Sequence, residues 1–235
     1  MKMKEITSLQ NPLVKHLVKL RKEKKYREKH RSFLVEGKKL VNELCVDIEA
    51  KSILLIDTKL LSKNAKSKEC FLVREEIIHK ISGVRTPEGI IGEFPLPAEC
   101  SFEGVKFLLA LDGVSDPGNM GTLLRTALAL GWEGAFILDN CCDPFNDKAV
   151  RSAKGATFRL PLKFGDWEAL EKIAGKNHLY SIAADTEGKD VAELSKGKGT
   201  LLVLGSEAKG LSEESLKRCE KVTIPMTGKT ESLNV

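Results

Sequence analysis

From residue 105 onward the chain alternates between short, almost uninterrupted apolar stretches and longer amphipathic ones. The apolar stretches predict strands at 105–111, 135–138, 178–183, 200–204 and 222–224. The amphipathic ones predict helices at 120–130 (closed by Gly131), 148–154, 167–174 and 212–219. Strands this apolar are buried on both faces, which predicts a mostly parallel sheet covered by helices on each side. The first 95 residues follow a shorter rhythm. Asn11-Pro12 starts a helix over 12–27, with Leu13, Leu17, Leu20, Val14 and Val18 on one side and Lys15, Lys19, Arg21 and Lys22 on the rest. Strands at 33–35, 51–56, 70–74 and 90–94 then alternate with helices at 38–45 and 75–82, and 60–68 reads as a lysine-rich helix or loop. The pattern predicts a small α/β domain over 1–95 and a second α/β domain over 105–235. The linker is 96–104, within an aperiodic stretch over 94–104 that holds two prolines and small residues.

Composition adds limits rather than detail. With 42% hydrophobic and 30% charged residues, the chain reads as globular. It has no apolar run of membrane-spanning length and no secretory signal, so the cytoplasm is the expected compartment and no membrane partner is expected. The six cysteines include no C-x-x-C pair, and none of the four histidines stands at zinc-ligand spacing from a cysteine. They read as reduced, structural thiols, with no metal. Charge is more telling. Residues 1–31 hold eleven Lys/Arg against three Glu, a local +8, which leaves the rest at −3. Such asymmetry describes either a solvated helix face or a site for a polyanion. The candidates for contact with such a polyanion are Lys22, Lys24, Lys25, Arg27 and Arg31. Tyr26 among them either stacks on a base or packs on the core.

Known nucleotide signatures fall away on inspection. Glycines at 113, 118 and 121 do not form G-x-G-x-x-G, and Gly228-Lys229-Thr230 lacks the P-loop glycine, position 223 being threonine. No G-x-S-x-G elbow is present. What remains are three apolar runs that break into loops of small and polar residues: after Leu111, after Leu204 and after Ile224. Ligands bind beyond the carboxyl ends of strands in open α/β sheets, so three such loops predict one shared pocket. Asn119 either caps the helix that follows or faces the pocket, and Arg125 either lies on that helix's exposed side or grips an anion. Glu207 either caps a helix or anchors a ligand or Arg125. Ser232 and Asn234, two apart in an extended segment, point to one side.

Taken in order, N-x-G-x-x-x-R-T-A from Asn119, L-G-S-E-x-x-G-L from Leu204 and I-P-M-x-G-x-x-E-S-L-N-V from Ile224 resemble the three motifs of the SpoU family. Members of this family are S-adenosylmethionine-dependent RNA ribose 2′-O-methyltransferases of the SPOUT class. Asp143–Pro161 is similar to the family's segment between the first two motifs, with serine and alanine exchanged in Arg151-Ser152-Ala153-Lys154-Gly155. The N-terminal region resembles the ribosomal-protein-like substrate-binding domain of rRNA-type members. The resemblance implies an α/β knot domain whose C-terminal segment threads a trefoil, and catalytic roles for Asn119, Arg125, Glu207, Ser232 and Asn234. It implies S-adenosylmethionine held near Gly205, Ile224, Met226 and Leu233, without a metal. It also implies RNA as partner (rRNA preferred, tRNA the alternative, no DNA) and a homodimer. A non-catalytic RNA-binding protein that keeps the fold is the third reading. Family members continue past the third motif with a helix that closes the knot, whereas this sequence stops at Val235; on this reading the helix is missing.

Overall fold

A computed structural model describes residues 3–194 and 199–226. The elements in chain order are β1 (Met3–Ile6), α1 (Pro12–Lys22), α2 (Lys24–His30), β2 (Ser32–Glu36), α3 (Lys38–Asp47), β3 (Ala50–Leu55), β4 (Ser67–Val73), α4 (Glu75–Ile81) and β5 (Ile90–Pro95). There follow β6 (Phe107–Leu111), α5 (Pro117–Ala129), β7 (Gly134–Leu138), α6 (Asp147–Ala153), α7 (Ala156–Arg159), β8 (Leu162–Gly165) and α8 (Trp167–Lys176). The chain then runs through β9 (Tyr180–Asp190), β10 (Thr200–Leu204), α9 (Glu213–Arg218) and β11 (Glu220–Thr223). Two compact units result. One is Met1–Pro97 with Asp143–Gly155, the other Ala98–Cys142 with Ala156–Val235.

In the first unit the strand order is β1-β4-β3-β5-β2, parallel across β1, β4 and β3 and antiparallel across β3, β5 and β2. The apolar stripe of α1 is buried as its spacing predicts: Val14, Leu17 and Leu20 pack with Ile77, Ile78 and Ile81 of α4 over Leu54, Phe71 and Ile91 of the sheet. The predicted single helix over 12–27 is instead two, because Glu23 is extended (φ −118°, ψ 113°). Arg27 fills the break. Its Nη1 donates to the carbonyls of Leu20 and Arg21 at 2.6 and 2.9 Å, groups that a continuous helix would have satisfied itself. Of the stretch 60–68, the structure makes a 3-10 turn at Thr58–Leu60, then loop and the start of β4.

Residues 143–155, which sequence order places inside the second domain, fold with the first unit. There α6 lies on β2, Phe145 meets Phe33 with ring centroids 5.0 Å apart, and Asp143 accepts from Arg27 Nε at 2.9 Å and Nη2 at 2.5 Å.

The second unit holds a six-stranded sheet in the order β11-β9-β10-β6-β7-β8, parallel at every pairing. Its core joins Leu108 and Ala110, Phe136 and Leu138, Leu201 and Val203, with Leu170 and Ile173 of α8. The chain leaves β6 towards β7 and β8 on one side, while β10 and β9 lie on the other. The crevice between the ends of β6 and β10 is therefore the point where strand order reverses, the usual ligand position in such sheets. The C-terminal threading expected from the resemblance concerns 227–235, outside the described residues.

Candidate active site

The loop after β6 is built around two aspartates. Asp116 is the N-cap of α5, its Oδ1 accepting from Gly118 N at 2.7 Å and Asn119 N at 3.0 Å, with Pro117 next at the first helical position. Asn119 therefore does not cap the helix, as one sequence reading had it. Its side-chain Nδ2 donates across the crevice to Glu207 Oε1. Two motifs 88 residues apart thus meet through their polar side chains. Met120, Leu123, Leu124 and Ala127 bury the opposite face of α5, while Arg125 is exposed two turns in.

The loop after β10 is a tight hairpin. Ser206 and Gly210 exchange backbone hydrogen bonds at 2.9 and 2.8 Å, and Gly210 takes a left-handed φ of +68°. Gly205 is required for the same closure: a Cβ there would stand 2.6 Å from the carbonyl carbon and oxygen of Gly210. The spacing of Gly205, Glu207 and Gly210 in the motif follows from this turn, which lifts Glu207 to the rim.

A cavity of about 630 Å³ opens beside the hairpin. Its floor is the sheet face carrying Ile182, Leu202, Leu204 and Val222, and its carboxyl-end rim includes Gly205, Glu207, Ile224 and Met226. Four of the residues named from sequence therefore line one space, and Asn119 reaches it through Glu207. Ser232, Leu233 and Asn234 lie outside the described residues.

Behind the rim sits a group the sequence reading passed over. Asp112, 1% exposed, directly follows β6. Its Oδ1 accepts from Asn140 Nδ2 at 2.7 Å, and its Oδ2 accepts from Ser212 N at 3.0 Å and from the Ser215 hydroxyl. Burial pushes this carboxyl up, but the donors from Asn140, Ser212 and Ser215 outweigh it and hold the pKa below the usual value. The only sequence signal was an aspartate closing an apolar strand. Nearby, burial raises the Cys141 and Cys219 thiols to about 11, which keeps both protonated and poor nucleophiles.

Of the basic residues named for RNA, Lys22, Lys24, Lys25 and Arg31 are exposed. Arg27 is not: it is 3% exposed and committed to Asp143 and two carbonyls, so it serves the fold. Tyr26 packs rather than standing free. Its ring lies 4.2 Å from that of His30, and its hydroxyl is 3.0 Å from His16 Nδ1.

With this geometry in place, comparison with known proteins decides the family. Residues 106–235 match the SpoU rRNA Methylase family. The chain belongs to that family. Residues 11–92 of this SpoU methylase match the MRM3-like substrate binding domain. The chain is 32% identical to the 23S rRNA (guanosine(2553)-2′-O)-methyltransferase RlmP of Bacillus subtilis (strain 168), over 99% of this chain and 95% of that protein. It superposes with a TM-score of 0.86 on an AdoMet-bound rRNA methyltransferase from Sinorhizobium meliloti, 30% identical, covering 99% and 92% of the two chains. A putative RNA methyltransferase of the TrmH family from Porphyromonas gingivalis gives 0.83 at 30% identity, over 97% and 94%. As a SpoU methylase the chain is an S-adenosylmethionine-dependent enzyme that methylates the ribose 2′-hydroxyl of RNA. No described helix is long and apolar enough to cross a membrane.

Proposed function

We infer that this SpoU methylase modifies 23S rRNA, with Asn119, Arg125 and Glu207 at the reacting hydroxyl and Ser232 and Asn234 completing the set. The observation that carries this reading is the Asn119–Glu207 hydrogen bond at the mouth of the cavity rimmed by Gly205, Ile224 and Met226. The apolar floor suits an adenine ring, and the rim leaves main-chain groups to recognise its edge. Held beside Gly205, Ile224 and Met226, S-adenosylmethionine would supply an electrophilic methyl group.

The protein's part is to align the 2′-oxygen while its proton passes to solvent water. Asn119 and Glu207, held together, orient the ribose. Arg125 is a poor base, since a guanidinium stays protonated in proteins. It binds the phosphate beside the target ribose and stabilises the charge that develops on the oxygen. Lys22, Lys24, Lys25 and Arg31 add RNA affinity from the first unit, and the protein acts in the cytoplasm as a homodimer. The similarity to RlmP, a 23S rRNA 2′-O-methyltransferase, favours rRNA over tRNA.

Replacing Arg125 with lysine tests the assignment. A point charge cannot reproduce the two-pronged grip, so turnover falls by roughly a hundredfold while S-adenosylmethionine affinity is kept. Near-normal turnover removes Arg125 from the mechanism.

A further inference from the structure

We propose that Asp112 is a positioning residue for methyl transfer: it sets the hairpin that carries Glu207 against the loop that leads into α5 and Asn119. The proposal rests on the catalytic reading of those two residues.

Asp112 holds both loops through its backbone N–H and its carboxylate. Its own backbone N–H donates to Leu204 O at 2.9 Å, the last rung between β6 and β10 before both chains turn away from the sheet. Oδ2 then holds Ser212 N and the Ser215 hydroxyl, the residues that directly follow the Gly205–Leu211 hairpin. Oδ1 holds Asn140 just beyond β7, and Asn140 Oδ1 in turn accepts from Gly113 N at 2.9 Å. The start of the Asn119 loop is thereby tied to the same centre as the end of the Glu207 hairpin. Gly113 also approaches Ser206 closely: a Cβ added at Gly113 would stand 3.6 Å from Ser206 Cβ.

A buried carboxylate with every donor supplied is stiff, because each bond it loses leaves a desolvated group behind. Glu207 is exposed on its hairpin, and Asn119 is half-buried in the first turn of α5. What fixes their separation is the backbone behind them, and Asp112 joins those two backbones. A displacement of about 1 Å in such a pair is enough to cost a hundredfold in rate.

Asp112→Asn keeps shape but sets an amide against Asn140 Nδ2 or against Ser212 N, donor facing donor. The reciprocal double variant Asp112→Asn/Asn140→Asp repairs this. The new amide donates to the new carboxylate, its carbonyl still accepts from Ser212 N and Ser215, and the carboxylate's second oxygen still accepts from Gly113 N. Glu207→Gln serves as the reference for the catalytic reading.

The experiment measures kcat and KM for S-adenosylmethionine, RNA affinity and melting temperature for all three and for Ser215→Ala. Asp112→Asn is expected to lower kcat by roughly ten- to a hundredfold with RNA affinity unchanged, and the double variant to recover most of it. A purely scaffolding role would lower the melting temperature of Asp112→Asn and leave the kcat of the folded protein alone, which overturns the proposal. So does a folded double variant without recovery. Should both Asp112 variants fail to fold, Ser215→Ala decides: a severalfold lower kcat supports the assignment, and an unchanged one overturns it. Loss of turnover in Glu207→Gln beside normal Asp112→Asn defeats this proposal alone, whereas full turnover in Glu207→Gln defeats the catalytic reading beneath it.

Discussion

Replacing Gly205 with alanine puts one methyl group into the backbone of the opposite hairpin arm. The added carbon would lie 2.6 Å from the Gly210 carbonyl and 2.7 Å from Leu211 N, where ordinary contact begins near 3.4 Å. The arms must therefore part by about 0.8 Å, the difference between 3.4 and 2.6 Å, and neither contact is the flexible end of a side chain. Parting strains the paired Ser206–Gly210 hydrogen bonds. Overpacking of this kind costs about 1–3 kcal/mol. Taking about 2 kcal/mol, and noting that a surface hairpin can open without unfolding its sheet, the penalty falls mainly on the bound state. S-adenosylmethionine affinity should then weaken by roughly thirtyfold. Isothermal titration on the full chain reads this directly, with melting temperature measured alongside. The control is Gly175→Ala in α8, where an added Cβ meets nothing within 4 Å. It should leave binding unchanged and, if anything, raise stability by up to about 1 kcal/mol. Wild-type affinity in the Gly205 variant would refute the argument that this loop shapes the cofactor rim.

Three further outcomes follow from the first unit. Arg27→Ala leaves the Asp143 carboxylate without its guanidinium and uncovers the Leu20 and Arg21 carbonyls, so denaturant unfolding should show a loss of about 3–5 kcal/mol. A loss below about 1 kcal/mol would return Arg27 to the RNA-contact group. Lys24→Ala with Lys25→Ala should do the opposite: unchanged melting, weaker RNA binding, and a log–log salt slope shallower by about 1 for each phosphate contact removed. Glu93 is buried at 5% and accepts from Ser32 Oγ at 2.7 Å and faces His16 Nε2 at 3.2 Å. Burial raises its pKa, but the bonds from His16 and Ser32 bring it below the ordinary 4.5. A depressed carboxylate stabilises the fold above that ordinary value and stops doing so as pH falls through its folded pKa. The stability gap between wild type and Glu93→Gln is therefore full at neutral pH and closes in acid; a gap constant down to pH 3 contradicts the assignment.

How much of this was readable from sequence depends on how local each determinant is. The strand over 107–111 announces itself because a parallel strand buried on both faces needs an apolar run of that length, and 200–204 is equally apolar although its Leu202 and Leu204 face the cavity. β1, with sequence MKEI, carries no such run: it only adds an edge to β4, and its polar positions face outward. The break at Glu23 was equally hidden, since the charged run 21–25 carries no apolar spacing to mark it and the Arg27 guanidinium that fills it also answers to the distant Asp143. Periodicity reveals that 148–154 is helical, but not which sheet the helix covers, and α6 lies on β2.

The site divides the same way. Asn119 and Glu207 carry motif signatures, and the structure joins them directly. That Asp116 takes the cap, and so leaves the Asn119 side chain for Glu207, depends on loop geometry within three residues. Asp112 was silent because its partners stand 28, 100 and 103 residues away, and no local pattern encodes a hydrogen bond at that range.

The central claim is that this chain methylates a ribose hydroxyl of 23S rRNA through the Asn119–Glu207 crevice. The most direct measurement is transfer of labelled methyl from S-adenosylmethionine to separated unmodified 23S, 16S and tRNA fractions, for wild type and for Glu207→Gln, followed by nucleoside analysis of the product. The account predicts label in a 2′-O-methyl nucleotide of the 23S fraction with wild type, and its loss in the variant. Label on a base, label confined to tRNA, or undiminished transfer by Glu207→Gln would contradict it.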